Sequence, residues 1–97
     1  MIEHTVPFSL KHGPGSEEER LIFAAAKELA SISGVRDFEV RRQVGAKHPH
    51  SFGITMQFEP DADYESYNNH PLHKAFIEER WLKEVDGFKE ADLVVLK

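Results

Sequence analysis

The 97-residue chain contains no cysteine. That excludes disulfides, a thiolate nucleophile and any cysteine-ligated metal. It also lacks an apolar run near the roughly 18–20 residues that a membrane-spanning helix needs. Positive charge is scarce: 12 Lys and Arg stand against 17 Asp and Glu, a net charge of −5. The adjacent Arg41 and Arg42 fall on opposite sides of a strand, so no basic stripe forms for nucleic acid. The N-terminus opens on an alternating strand pattern, not on a charged segment followed by an apolar leader. A cytoplasmic location is expected, with neither membrane nor nucleic acid as partner.

What is present has ordinary globular proportions, 40% hydrophobic and 30% charged, with no repeat or low-complexity tract. The length suits one domain, residues 1–97, with a thin core. "IEHTVPFSL" alternates, setting Ile2, His4, Val6, Phe8 and Leu10 on one side. After the turn "KHGPG", Ser16 and Glu19 form a capping box. The helix behind it buries Ile22, Ala25, Ala26, Leu29 and Ile32, and Gly34 ends it. "VRDFEVRRQV" alternates with Phe38, Val40 and Val44 on one side. "SFGITMQFE" does the same with Phe52, Ile54, Met56 and Phe58. A short helix spans about Ala62–Asn69, and Pro71 opens a second that runs to about Val85. Asp86-Gly87 turns into a last strand, "FKEADLVVL". The order βαββαβ predicts an α+β ferredoxin-like sandwich with the helices on one side of an antiparallel sheet.

Polar side chains interrupt this pattern in one region. In "YESYNNHPLHKAF", Tyr67, His70 and His73 recur every third residue around Pro71. His73 falls within the apolar arc of Leu72, Phe76, Ile77 and Trp81, at about 100° per residue. His4 sits on the buried side of the first strand. Both imidazoles are therefore expected in the same sheet–helix layer, where an unpaired polar group is costly.

The pattern Y-x-x-H-P-x-H-x-x-F in "YNNHPLHKAF" resembles that of the stress-responsive α/β-barrel (Dabb) proteins. "HTVPFSLK", "GVRDFEV", "FGITMQFE" and "DLVVL" are similar to the family's strands, so the resemblance covers nearly the whole chain. It implies a homodimer whose two sheets form a dimeric α+β barrel with the helices outside. The sheet face opposite the helices carries Glu3, Asp37, Glu39, Arg41, Gln57 and Glu59, so it reads as solvated or as a polar, watery interface.

Two functions follow from the resemblance. In one, shared with a cofactor-free polyketide cyclase of the family, Tyr67 and His73 are the catalytic acid–base pair. His4, Ile22, His70, Phe76, Ile77 and Trp81 then bind a polyketide-like or aromatic ligand. In the other, shared with a plant boiling-stable stress protein, the motif is architectural: His70 caps a helix, Pro71 starts it, and tyrosine and histidine satisfy each other in the core. The non-catalytic reading, a dimeric module that binds at most a small apolar ligand, is narrowly preferred here. No cofactor is expected. The pairs His48/His50 and His70/His73 have ligand-like spacing but no local third ligand, so no structural metal is expected.

Overall fold

The computed structural model describes residues 1–45, 47–59 and 61–96; Ala46, in the loop expected at "GAKHPH", lies outside them. The elements are β1 (Ile2–Leu10), α1 (Glu17–Lys27), β2 (Arg36–Arg42), β3 (Phe52–Phe58), α2 (Asp61–Asn69), α3 (Pro71–Phe76), α4 (Leu82–Glu84), β4 (Val85–Phe88) and β5 (Ala91–Leu93). The sheet is ordered β2-β3-β1-β4, with β5 also pairing β1, and all pairings are antiparallel. This is the ferredoxin-like arrangement expected from the sequence.

Alternation along β1 and β3 decides which side chains meet the helices. His4, Val6 and Phe8 are buried, as are Phe52, Ile54, Met56 and Phe58. The strands run in register, with His4 opposite Met56 and Phe8 opposite Phe52. Ile22, Ala26 and Leu29 close the layer from α1 and the 3-10 turn behind it, with Ile32 just beyond. Half of the capping box forms as expected, the Ser16 hydroxyl accepting from the Glu19 N–H; the Glu19 carboxylate reaches one residue further back and accepts from the Gly15 N–H at 2.7 Å, while the Ser16 N–H donates to the Gly13 carbonyl. Gly34, at φ 92, sits so close to α2 that a Cβ there would lie 2.7 Å from the Asp63 side chain.

Three expectations are corrected. β2 stops at Arg42, and Val44 is 92% exposed in the following loop. Its alternation is also broken by a bulge, where Asp37 takes φ 51 and the register shifts between Arg36 and Glu39. A bulge adds a residue without a partner, which period two does not reveal. Asp86-Gly87 lies inside β4 rather than in a turn, and the last strand is two pieces separated by Lys89 and Glu90. Finally, the second helix is not one α-helix. Between α3 and α4 it widens at Ile77–Trp81, where the Leu82 N–H reaches back five residues to the Ile77 carbonyl.

Phe58 is fully buried against Tyr64 and Tyr67. Phe58→Ala should therefore cost about 3–5 kcal/mol in chemical denaturation. Val44→Ser should stay within about 0.5 kcal/mol, as expected at an exposed position. A comparable loss in both would place Val44 in the core.

Candidate functional site

α2 and α3 meet at His70, whose extended backbone lets its Nδ1 accept from the Leu72 N–H at 3.0 Å. Pro71 follows at the first helical position, where no N–H is required. This junction sends Tyr67 and His73 toward one another, with ring centroids 4.4 Å apart. His4 approaches Tyr67 from the sheet, at 6.2 Å between centroids. Tyr67 thus stands between the two imidazoles.

The three rings line a cavity of about 210 Å³ between sheet and helices. Its walls are largely apolar: Val6, Ile54 and Met56 from the sheet, Leu29, Phe76 and Trp81 from the helical side. Leu82, Phe88 and Glu90, all exposed, stand at its mouth. The widened turn contributes Ile77 and Trp81 to the lining. Such single π-type turns recur at functional sites.

Hydrogen bonds decide the proton positions on both imidazoles. His73 Nδ1 lies 3.3 Å from the Asn68 carbonyl oxygen, which can only accept. In the neutral ring the proton is therefore on Nδ1, and Nε2 keeps its lone pair. His4 Nδ1 lies 2.7 Å from Asp92 Oδ1 and 3.0 Å from the Tyr64 hydroxyl. Tyr64 itself donates to the Asp92 carboxylate at 2.9 Å. His4 Nδ1–H then also donates to Asp92, and in the neutral ring Nε2 is left as an acceptor. This places a carboxylate behind an imidazole, the arrangement that holds one tautomer in place.

Burial lowers the His73 pKa from its ordinary 6.5; the Asn68 carbonyl opposes the shift, and His4 reinforces it. The ring is accordingly neutral at pH 7, as a general base must be. Burial raises the Tyr67 pKa well above the ordinary phenol value, so its hydroxyl remains a donor. Tyr64 is raised in the same direction, first by burial and then by its bond to Asp92. Among the described residues the Tyr67 hydroxyl forms no hydrogen bond, so the expectation that Tyr67 and His73 satisfy each other is corrected to a ring contact without one.

Of the residues singled out in the sequence, Tyr67, His73, His4, Phe76, Ile77 and Trp81 line this cavity. Ile22 is packed in the core away from its lining, and His70 is spent as the helix cap. Tyr64, Asp92, Phe88 and Glu90 escaped the sequence reading. Tyr64 lies three residues before Tyr67, one turn away on the same helix. Asp92 was hidden by the break in the last strand, although its register places it opposite His4. Among the described residues, no three His, Asp or Glu side chains are grouped to hold a metal ion. No helix there is long and apolar enough to cross a membrane.

Comparison with known proteins gives one family. The profile of the stress-responsive A/B barrel domain, Dabb, matches residues 2–95. A Dabb family protein with a ferredoxin-like fold from Mesorhizobium loti is 45% identical, with a TM-score of 0.95 over 99% of this chain and 97% of that one. A hydroxynitrile lyase from Passiflora edulis shares the fold at 14% identity and a TM-score of 0.85, covering 99% and 94%. A dimeric ferredoxin-like protein of unknown function from Thermobifida fusca is 16% identical, with a TM-score of 0.81 over 97% and 90%. No curated protein matches the chain.

Asp92→Ala should leave the buried His4 Nδ1–H and the Tyr64 hydroxyl without their acceptor. A loss of about 1–2 kcal/mol in thermal or urea unfolding is expected, because the half-open side lets water replace part of the bond. His73 should titrate below 6.5 by NMR, since burial disfavours its charged form. The sign for stability follows: the unfolded chain takes up this proton first. His73 therefore costs nothing above about pH 6.5 and destabilises progressively as pH falls below it toward the folded value. A His73 midpoint above 6.5 would reverse both statements.

Proposed function

The chain belongs to the stress-responsive α/β-barrel (Dabb) family, and from that premise we propose that it is a cofactor-free acid–base catalyst acting on a small aromatic or β-keto carbonyl compound. The observation that carries this is the open cavity lined by His73 and Tyr67, whose Nε2 and hydroxyl have no hydrogen-bond partner among the described residues. A module whose motif were purely architectural would be expected to fill that space and satisfy those groups. On this ground we place the catalytic reading ahead of the non-catalytic one that the sequence narrowly favours.

In this mechanism His73 Nε2 removes a proton from the carbon next to a carbonyl. The C–H bond breaks, and its electron pair moves into the enolate. The new imidazolium keeps Nδ1–H on the Asn68 carbonyl, so the ring holds its orientation through the step. Tyr67 donates to the carbonyl oxygen as negative charge develops there, the moment when such a bond contributes most. His4 Nε2, steadied by Asp92, offers a second acceptor that orients a substrate hydroxyl. The proton returns from His73 to the product. The apolar walls exclude water and hold a compact ring. A cavity of about 210 Å³ falls below the ~300–1,000 Å³ of drug-sized pockets, which favours a small substrate. The hydroxynitrile lyase of the same fold supports the idea that this scaffold can host chemistry, without assigning its substrate here.

A second reading, a carrier of small apolar ligands, draws on the same apolar walls. We also propose that the protein is a homodimer. Several solved relatives of this fold are described as dimeric. Exposed Leu93, Val94, Val95 and Leu96 form an apolar segment that a second copy would cover. Light scattering on the purified protein should give twice the chain mass, and a stable monomer at micromolar concentration would refute it.

The catalytic reading is tested with a panel of small aryl ketones and 1,3-dicarbonyls in deuterated buffer, following α-proton exchange by NMR. Exchange above buffer is expected for some of them. His73→Leu should lower it by about 10²-fold or more, while melting at or above the parent temperature, as removal of a functional polar group commonly does. Tyr67→Phe should lower it with little change in binding. Absence of exchange across the panel, together with a His73→Leu loss of about 1–3 kcal/mol, would make the histidine structural.

A further inference from the structure

The mouth of the His73 cavity is built from three exposed side chains, Leu82, Phe88 and Glu90. Phe88 pairs across the strands with Phe8, so its ring shares the helix side of the sheet. There it meets Trp81 edge to face, with ring centroids 5.5 Å apart and an interplanar angle of 74°. Glu90 lies two positions before Asp92, whose carboxylate turns to that same side to reach His4. The mouth therefore opens between sheet and helices, away from the sheet face that a second copy would cover.

Charge around this opening is one-sided. Glu90 is the only Asp, Glu, Lys or Arg among the lining residues. Lys83 and Lys89 adjoin lining residues in the sequence, yet neither belongs to the lining itself. Among the described residues the Glu90 carboxylate joins no salt bridge. The carboxylate behind His4, that of Asp92, adds negative charge to the same region. Burial governs the Tyr67 and His73 pKa shifts, and behind it Glu90 helps hold Tyr67 up and opposes the fall at His73. A carboxylate entering here would give up water, find no cation and face a like charge. A cation would meet the opposite charge and the exposed ring of Phe88, both of which attract it.

We propose that Glu90 sets the charge class of the ligand, favouring an aryl ketone with a cationic group at its outer end and rejecting one with a carboxylate there. This deepens the reading of the His73 cavity as a ligand site and rests on it. The ketone end sits inward, beside Tyr67 and His73, within the apolar walls. The cationic end stops at the mouth, between Glu90 and the Phe88 ring. A quaternary ammonium suits that place, because it is held by charge and by an aromatic face without needing hydrogen bonds. Glu90 acts on recognition and takes no part in moving the proton.

The test titrates three para-substituted acetophenones, carrying trimethylammonium, tert-butyl or carboxylate, into the isotope-labelled protein in whatever oligomeric state it adopts. Binding is read from NMR shifts of the Trp81 indole and the His73 ring. The first two compounds match in shape, so their difference reports charge alone. The ammonium compound should bind tightest, and the carboxylate about 10-fold more weakly than it or worse. The contrast should shrink at high salt, because Glu90 is exposed. Glu90→Gln should reduce it severalfold and Glu90→Lys should reverse it. Glu28→Gln, exposed and outside the lining, should leave it unchanged. Equal affinity for all three, or a contrast that Glu90→Gln leaves intact, would overturn the proposal. Binding of none of them would overturn it together with the ligand-site reading. Charge-ordered binding without any α-proton exchange would support it while refuting the catalytic reading.

Discussion

The structure depends on the antiparallel register of β1 between β3 on one side and β4 and β5 on the other. With His4 opposite both Met56 and Asp92, the imidazole turns toward the helices and the carboxylate that orients it turns the same way. A slip of one residue would send His4 to the open face and bring Thr5 or Glu3 inward. The same register delivers Val6 and Phe8 to the core, so core packing and site geometry are enforced by one set of strand pairings. Losing the site by mis-registration would mean losing the core as well.

Against this fixed floor, the helical side is deliberately irregular. An extended His70, a proline and a widened turn interrupt what would otherwise be one long helix. Each interruption has a local cause: the cap at His70, the missing N–H of Pro71, the five-residue reach of Leu82. Together they leave room between Tyr67, His73 and Trp81 that a straight helix would close with side chains. That unfilled space forgoes packing free energy, since interiors are otherwise packed to crystal-like density.

Much of this was legible in the sequence because period two and the three-to-four spacing are strong signals wherever one face is buried. His4 among Ile2, Val6 and Phe8, and His73 among Leu72, Phe76 and Ile77, could be placed in one layer from those periods alone. Asp92 could not, because Lys89 and Glu90 break the last strand and reset its phase. The partner of a buried histidine lay 88 positions away, and only the pairing of β5 with β1 brings it near. The bulge at Asp37 and the end of β2 before Val44 were invisible for a related reason: alternation continues in the letters after the ladder has stopped.

The central claim is that His73 offers a free Nε2 to an open cavity with its proton held on Nδ1. Long-range proton–nitrogen NMR of the imidazole side chains reads this directly in the neutral protein. The account expects His73 in the Nδ1–H form, its Nε2 shift that of an unprotonated nitrogen and responsive to a small aryl ketone added to the solution. An Nε2–H tautomer, unaffected by such compounds, would contradict it and return the motif to architecture.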